Sequence, residues 1–405
     1  MHQQQNNPNM PARLLHGYLR NVIKNSARRN RQIIEPYVAA LGTLSVLFER
    51  RIREKLSLAP DFADIKHSPS GTLLTTPIRM STCDGRDQIS RAIYYRGWYA
   101  FEHPLPRLLE QALNAAPAGL FLDVGANTGV YSLLSKGICP LREVHAFEPL
   151  PLVLRILRNN IDLNKFAADI IVVDAAVCEE TGTAGLFVPT QEHGLVETSA
   201  SLSSKFKSAH SDVLTVRTIK LDDYCRQISS KRVAVMKIDV EGMEHKVLKG
   251  AQETIARDRP IIFCEILPAA RTWAEISLIL ESAGYLVGSI HPNALVVGKK
   301  PDQTTHNHIM FSANMEAVVR DAARASNIEY QAHKCAVINS RESSHQGERT
   351  NTTGEQYRAD RRRNRAGHRA IAKRLGKQQV DDRGQKTIGG TSDVHVSRKI
   401  SRATP

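Results

Sequence analysis

Between residue 77 and about residue 313, short apolar runs of β type alternate with stretches of helical period. The clearest runs are Leu120–Val124, Glu143–Phe147, Ile170–Val173, Val233–Ile238 and Ile261–Ile266. They are nearly continuous rather than alternating, the pattern of strands covered on both faces. Pro151–Asn164 and His245–Ala256 read as helices between them. Such alternation implies βαβ units and a mostly parallel sheet, an α/β fold of Rossmann-like type. Three late runs, Tyr285–Ile290, Leu295–Val297 and His308–Ser312, are punctuated by Gly284 and Pro292 and suit an antiparallel C-terminal edge.

The flanks read differently. Residues 1–11 are rich in Gln and Asn and are expected to be disordered. Residues 12–76 are expected to form an N-terminal helical extension. Leu14, Leu15, Tyr18, Leu19, Val22 and Ile23 recur at helical spacing, and Tyr37, Val38, Leu41, Leu44 and Leu47 form a second stripe. Pro36 is expected to break the two apart. These helices could cap the following domain, or make a basic amphipathic arm giving peripheral contact with a membrane or partner. The catalytic domain is expected over 77–315, and 316–405 as a basic, mostly disordered tail.

Charge sharpens that division. The chain carries a formal +14, and residues 331–405 hold 17 Lys/Arg against 7 Asp/Glu, or +10 of it. The remainder is ordinary for an enzyme. The six cysteines form no CxxC or CxH pattern, which argues against a zinc site and for a reducing compartment. No apolar stretch reaches the roughly 18–20 residues that span a bilayer, and the polar N-terminus lacks a signal-peptide core. A cytoplasmic location is therefore expected.

The most informative segment is Phe121-Leu-Asp-Val-Gly-Ala-Asn-Thr-Gly-Val-Tyr131. A strand runs into Asp123, then a turn of small residues, then a helix starting near Val130. Glycines at 125 and 129 let backbone approach a ligand where a Cβ would collide, and the helix start offers free N–H groups. A dinucleotide site wants G-x-G-x-x-G. Here Asn127 replaces the middle glycine and Gly129 comes one residue early. Asp123 suits the ammonium end of an amino-acid moiety better than a pyrophosphate. Nineteen residues past Gly129 a second strand ends at Glu148, where a carboxylate can accept both hydroxyls of an unphosphorylated ribose.

Four ordered blocks then resemble the FkbM-type methyltransferases, a branch of the class I fold dependent on S-adenosylmethionine (SAM). They are Asp123-Val-Gly-Ala-Asn-Thr-Gly129 with Ala146-Phe-Glu-Pro149, Asn160-Ile-Asp-Leu-Asn164 with Asp174-Ala-Ala-Val177, Val216–Asp223, and Met236-Lys-Ile-Asp-Val-Glu-Gly242 with Val247–Ala251 and Pro260–Glu265. The resemblance covers about 120–270. It implies SAM as cofactor, with Asp123, Gly125, Asn127 and Gly129 around its methionine part and Glu148 on the ribose. It places Asp174 and Ala175 beside the adenine and Asp239 facing the methyl donor and acceptor. Relatives commonly methylate hydroxyls of sugars or secondary metabolites, so a small-molecule or glycan hydroxyl is the implied acceptor.

A hydroxyl acceptor must lose a proton. The candidate catalytic groups are Asp239, Glu241 and Glu265, with His245 better explained by packing. Asp239 and Glu241 lie two apart and share a side if extended; pairing could raise one pKa or bind a cation, and Glu241 could instead cap the next helix. No metal site is expected. Ser199–Lys207 reads either as a loop over the cleft or as an inert connection, and Tyr95–Glu102 as either pocket lining or core. Arg361–Arg365 motivates the alternative of a nucleic-acid-associated enzyme. The tail has one aromatic, Tyr357, for stacking on bases, and no N-P-P-Y motif follows the fourth strand, so nucleic acid is disfavoured. An NAD-dependent oxidoreductase would need the missing glycines.

Overall fold

The computed structural model describes residues 59–332 except 191–194, 208, 229–230 and 268–271, together with residues 31–42 and with 23, 24, 26, 27 and 52. The expectations for residues 1–11, for most of the first helical stripe and for the tail from 333 lie outside the described residues.

Strands β1 (Phe62–His67) and β2 (Leu73–Ser81) form an antiparallel hairpin. The chain then lays down β3 (Leu120–Val124), β4 (Val144–Phe147) and β5 (Ile170–Val173) as parallel neighbours. It leaves for a small sheet of β6 (Ala176–Cys178), β7 (Gly182–Pro189) and β8 (His210–Lys220). It returns with β9 (Val233–Ile238) and β10 (Ile261–Glu265) on the opposite side of β3. Strands β11 (Tyr285–Ile290), β12 (Ala294–Gly298), β13 (Asn307–Ser312) and β14 (Glu329–Ala332) complete a nine-stranded sheet ordered β14-β12-β11-β13-β10-β9-β3-β4-β5. β13 is antiparallel to β10 and β11, so the expected parallel sheet with an antiparallel C-terminal edge is present.

Helix α1 (Arg31–Gly42) precedes the sheet. One sheet face is covered by α2 (Gln88–Arg96), α3 (Leu105–Ala115), α4 (Val130–Ile138) and α5 (Pro151–Leu163). The other is covered by α6 (Leu221–Gln227), α7 (Glu244–Lys249), α8 (Gln252–Asp258) and α9 (Trp273–Ser282). Helix α10 (Glu316–Ala325) returns to the first face. All five residues of β3 are buried, with Phe121 packed toward one face and Leu120, Leu122 and Val124 toward the other. The unbroken apolar runs follow from this double covering.

Four expectations need correction. The segment 12–76 is not helical to its end: residues 62–81 form the β1–β2 hairpin, whose Ile65, Leu74, Ile78 and Met80 are buried in the main core. The backbone amides of Ser81 and Arg79 donate to Asn160 Oδ1 and Asn164 Oδ1 of and beside α5, at 2.8 and 2.7 Å. The expected disordered segment 316–405 begins with α10 and β14, because Val319, Ala323 and Ile328 are buried in that same core. Helix α1 passes through Pro36 rather than breaking there, giving up one ladder bond. The helix expected over His245–Ala256 divides at Gly250, where a Cβ would lie 2.3 Å from the Cys178 carbonyl oxygen. The Asp222 carboxylate caps the second piece by accepting from Glu253 N (3.1 Å) and Thr254 N (2.8 Å).

Among the described residues no helix is long and apolar enough to cross a membrane.

Candidate functional site

Strand order reverses between β3 and β9, and in open α/β sheets the ligand crevice lies beyond the carboxyl ends of the strands at that point. Here the two strand ends are nearly fused. Asp239 N donates to Val124 O at 2.9 Å. Gly125 follows with φ +80, and a Cβ on it would meet Asp239 O at 1.8 Å. Gly125 N and Ala126 N both donate to Phe147 O, at 3.0 and 2.9 Å, tying the turn to β4. Gly129 caps α4 in the left-handed region, and its Cβ would strike Leu157 of α5 at 2.6 Å.

The turn is clasped by Glu148. Its Oε2 accepts from Asn127 N at 3.0 Å and its Oε1 from Leu150 N at 2.8 Å. Asn127, itself left-handed at φ 54, accepts from Thr128 N through Oδ1 at 2.8 Å. Asn160 Nδ2 donates to Thr128 O at 2.8 Å, so the hairpin, α5 and the turn share one residue. Burial pushes the Glu148 carboxyl up to about 7, partly offset by those two amide bonds.

Gly125, Asn127, Glu148, Ala175, Asp239 and Glu241 line one cleft together with Thr198, Ala200 and Leu202. The Ser199–Lys207 run thus reaches the cleft. Ser201 pairs with Phe187 of β7 through both backbone groups, and its Oγ donates to Glu241 O at 2.8 Å. Three predicted ligand contacts lie outside this lining: Gly129, which caps α4, Asp123 and Asp174. Asp123 is buried behind the turn, accepting from Ser132 Oγ at 2.6 Å; burial raises it to about 6, against that bond and Lys237. Asp174 is exposed and outside the lining, while Ala175 is buried and within it.

At the ends of β9 and β10 the structure assembles a cluster only partly foreseen. Lys237 is 1% exposed, on the same side of β9 as Val235 and facing α4. Its Nζ lies 3.2 Å from Asp239 Oδ2 and 5.4 Å from the centroid of the Tyr131 ring. Tyr131 Oη donates to Glu102 Oε2 at 2.6 Å. Carboxylate oxygens of Glu102, Asp239 and Glu265 lie within 4.8 Å of one another, and Lys237 supplies the positive charge among them. Burial first, then Asp239, pushes Glu265 up to about 8; burial also raises Glu102. Burial would lower Lys237, but Asp239, Glu102 and Glu265 outweigh it and raise it.

Tyr131 and Lys237 are not among the expected site residues, while Glu102 closes the Tyr95–Glu102 run expected as pocket lining or core. A lysine inside the otherwise apolar run Val-Ala-Val-Met-Lys-Ile was the available signal. In the Tyr95–Glu102 segment the core alternative holds for Tyr95 and Phe101, which are buried, while Glu102 reaches the cluster from a left-handed residue of φ 45.

Glu241, also left-handed at φ 56, is raised to about 8 by burial and then by Asp239 and Glu244. It is not the cap of α7. The N-cap is Met243, without a side-chain bond, and Glu244 at the helix start instead accepts from the loop amides Gly242 N at 2.9 Å and Val240 N at 3.3 Å. Leu202, Glu241 and Met243 also line a second, wider cleft with Phe187, Phe206, Lys205 and His245. The two clefts share a wall. His245 Nδ1 has no hydrogen-bond partner there.

The first cleft therefore offers three carboxylates, Glu148, Asp239 and Glu241, and no lysine or arginine among its lining residues. With no cation to offer, the cleft gives a pyrophosphate nothing to bind, and its carboxyl oxygens suit a ligand rich in hydroxyl and ammonium donors. A sulfonium nucleoside with an amino-acid tail fits it.

Comparison with known proteins agrees. Residues 123–287 match the family model described as the methyltransferase FkbM domain. The chain is 25% identical over 206 residues to "Methyltransferase 1" of Beauveria bassiana, covering 46% of this chain and 80% of that one. It is 25% identical over 203 residues to the 31-O-demethyl-FK506 methyltransferase FkbM of Streptomyces tacrolimicus, covering 44% and 77%. Among solved structures, a methyltransferase FkbM from Methylobacillus flagellatus aligns with 19% identity and a TM-score of 0.33 over 48% of this chain and 43% of that one.

Proposed function

We propose that this chain, whose residues 123–287 form an FkbM-type methyltransferase domain, uses SAM to methylate a hydroxyl of a sugar, glycan or secondary metabolite. The observation that carries the reading is the carboxylate-lined cleft at the reversal of strand order, with Gly125 opening its floor. Glu148 and Ala175 would hold the nucleoside part and Asn127 the methionine part, and Asp123 and Gly129 support the turn. When bound, the cofactor supplies an electrophilic methyl on a positively charged sulfur. The 31-O-demethyl relative is named for an oxygen that lacks its methyl, which favours oxygen as the acceptor atom.

The chain's own residues do the rest. Asp239 stands where both the cofactor cleft and the buried Lys237 meet, and it accepts the proton of the acceptor hydroxyl. Glu265, held near 8, carries a proton at neutral pH and does not compete as a base. The second cleft, sharing Glu241 with the first, receives the acceptor. Holding the two reactants in line is worth several kcal/mol, up to about 7–11 in the best intramolecular cases.

Calorimetric titration of SAM, S-adenosylhomocysteine and NAD into the protein and its Glu148→Ala variant tests this. SAM binding near micromolar that weakens at least tenfold in the variant, with none for NAD, supports the reading. Folded protein that ignores SAM overturns it.

A further inference from the structure

Lys237 sits among more acids than it can neutralise. From β9 itself comes Asp239, from β10 Glu265, from the segment before α3 Glu102, and from β3 Asp123; Tyr131 of α4 lies under the ammonium. Glu148, Glu241 and Glu244 stand farther out around Asp239. An ammonium taken fully out of water is costly unless well partnered, and this one occupies a strand position that would otherwise bury an apolar side chain. Glu102 reaches it from a left-handed backbone, a conformation that costs on the order of 1–3 kcal/mol for a non-glycine residue. Two unfavourable placements converge on one point.

We propose that Lys237 is a positioning residue: it fixes the Asp239 carboxylate at the end of β9, while the Tyr131–Glu102 pair fixes Lys237. The inference rests on the reading of Asp239 as proton acceptor. Geometry carries it. The 3.2 Å contact leaves Asp239 Oδ2 paired and the carboxylate oriented at the cleft wall. The Tyr131 ring supports the ammonium face at 5.4 Å, and its hydroxyl bond to Glu102 prevents that acid from taking the ammonium away. Of the three acids it is Asp239 that holds a 3.2 Å contact with the ammonium.

The experiment is a carbon-13 NMR titration of side-chain carboxyls in the full chain, with Asp239 assigned by its Asp239→Asn variant, in wild type, Lys237→Met and Tyr131→Phe. Lys237→Met should raise the Asp239 midpoint by at least one pH unit, a tenfold change in its ionisation. Tyr131→Phe keeps the lysine but frees Glu102 to compete for it, so it should also raise the Asp239 midpoint; it serves as well if Lys237→Met fails to fold. An unchanged Asp239 midpoint in folded Lys237→Met, or in Tyr131→Phe, overturns the proposal. SAM calorimetry on the same samples separates the two readings. The Asp239 shift without SAM binding upholds the role of Lys237 and overturns methyl transfer, and SAM binding without the shift does the reverse.

Discussion

A Cβ on Gly125 would sit 1.8 Å from the carbonyl oxygen of Asp239. The glycine turn proposed to meet the cofactor and the proposed proton acceptor are thus in backbone contact across the reversal of the sheet. Neither can shift alone, because Asp239 N is bonded to Val124 O and Gly125 N to Phe147 O.

Gly125→Ala is therefore expected to disrupt both ends at once. The left-handed φ of +80 adds strain to the clash. Thermal unfolding should show a midpoint several degrees lower, and calorimetry should show SAM affinity reduced by more than tenfold. Wild-type affinity in this variant would mean that the turn does not meet the cofactor.

Glu148→Ala removes the acceptor of two amide hydrogen bonds, from Asn127 and Leu150. Hydrogen bonds to a charged group contribute about 1.5–3 kcal/mol, but burial raises the charged form's cost here, so the lower end applies. The variant should lose stability by about that amount in denaturant unfolding. Glu148→Gln, which keeps one acceptor oxygen, should fall between.

The raised acids set a pH dependence. Asp123, Glu148, Glu241, Glu244 and Glu265 are held at about 6, 7, 8, 7 and 8, chiefly by burial. In an unfolded chain such groups titrate near 4, so the folded state binds more protons between these values. Their contribution is complete below about pH 4 and is lost as pH rises through 6 to 8. Glu179 and Asp258, held below the ordinary range, and His308, lowered by burial to about 4, act oppositely and lose their contribution in acid. Calorimetric unfolding of ligand-free protein at constant ionic strength should give a lower midpoint at pH 8.5 than at pH 6. A midpoint that climbs over that interval would contradict the assignment.

The same carboxylates should favour a cation as they ionise. Glu241, at about 8, lines the cofactor cleft. The ratio of SAM to S-adenosylhomocysteine affinity is expected to grow between pH 6.5 and pH 9, since one carries a sulfonium and the other a neutral thioether. Glu241→Gln should flatten that dependence. Parallel pH profiles for the two ligands would place the charge elsewhere.

Truncation separates the ordered C-terminal elements from the basic tail. Ending the chain after residue 332 should leave SAM binding intact. Ending it after residue 315 strips Val319, Ala323 and Ile328 from the core and should yield unstable or insoluble protein. Equal stability of the two products would refute the packing of α10 and β14.

The sequence alone determined the central sheet and the glycine turn at the end of β3. A strand buried on both faces must be largely apolar, so β3 is legible as an unbroken run, and β9 as one interrupted only by Lys237. A turn that brings backbone against a neighbouring strand must use glycine, so Gly125 and Gly129 could be read directly, as could Glu148 at the next strand end. What only the tertiary structure decided is the company each side chain keeps. The hairpin at 62–81 buries alternate residues against helices that come later in the chain, and β8 is mostly exposed, so neither carries a strong local pattern. Lys237 reads locally as one polar residue in an apolar strand. It becomes the centre of the site only when folding brings Glu102, Tyr131 and Glu265 around it, because a buried charge is defined by partners that sequence spacing does not encode.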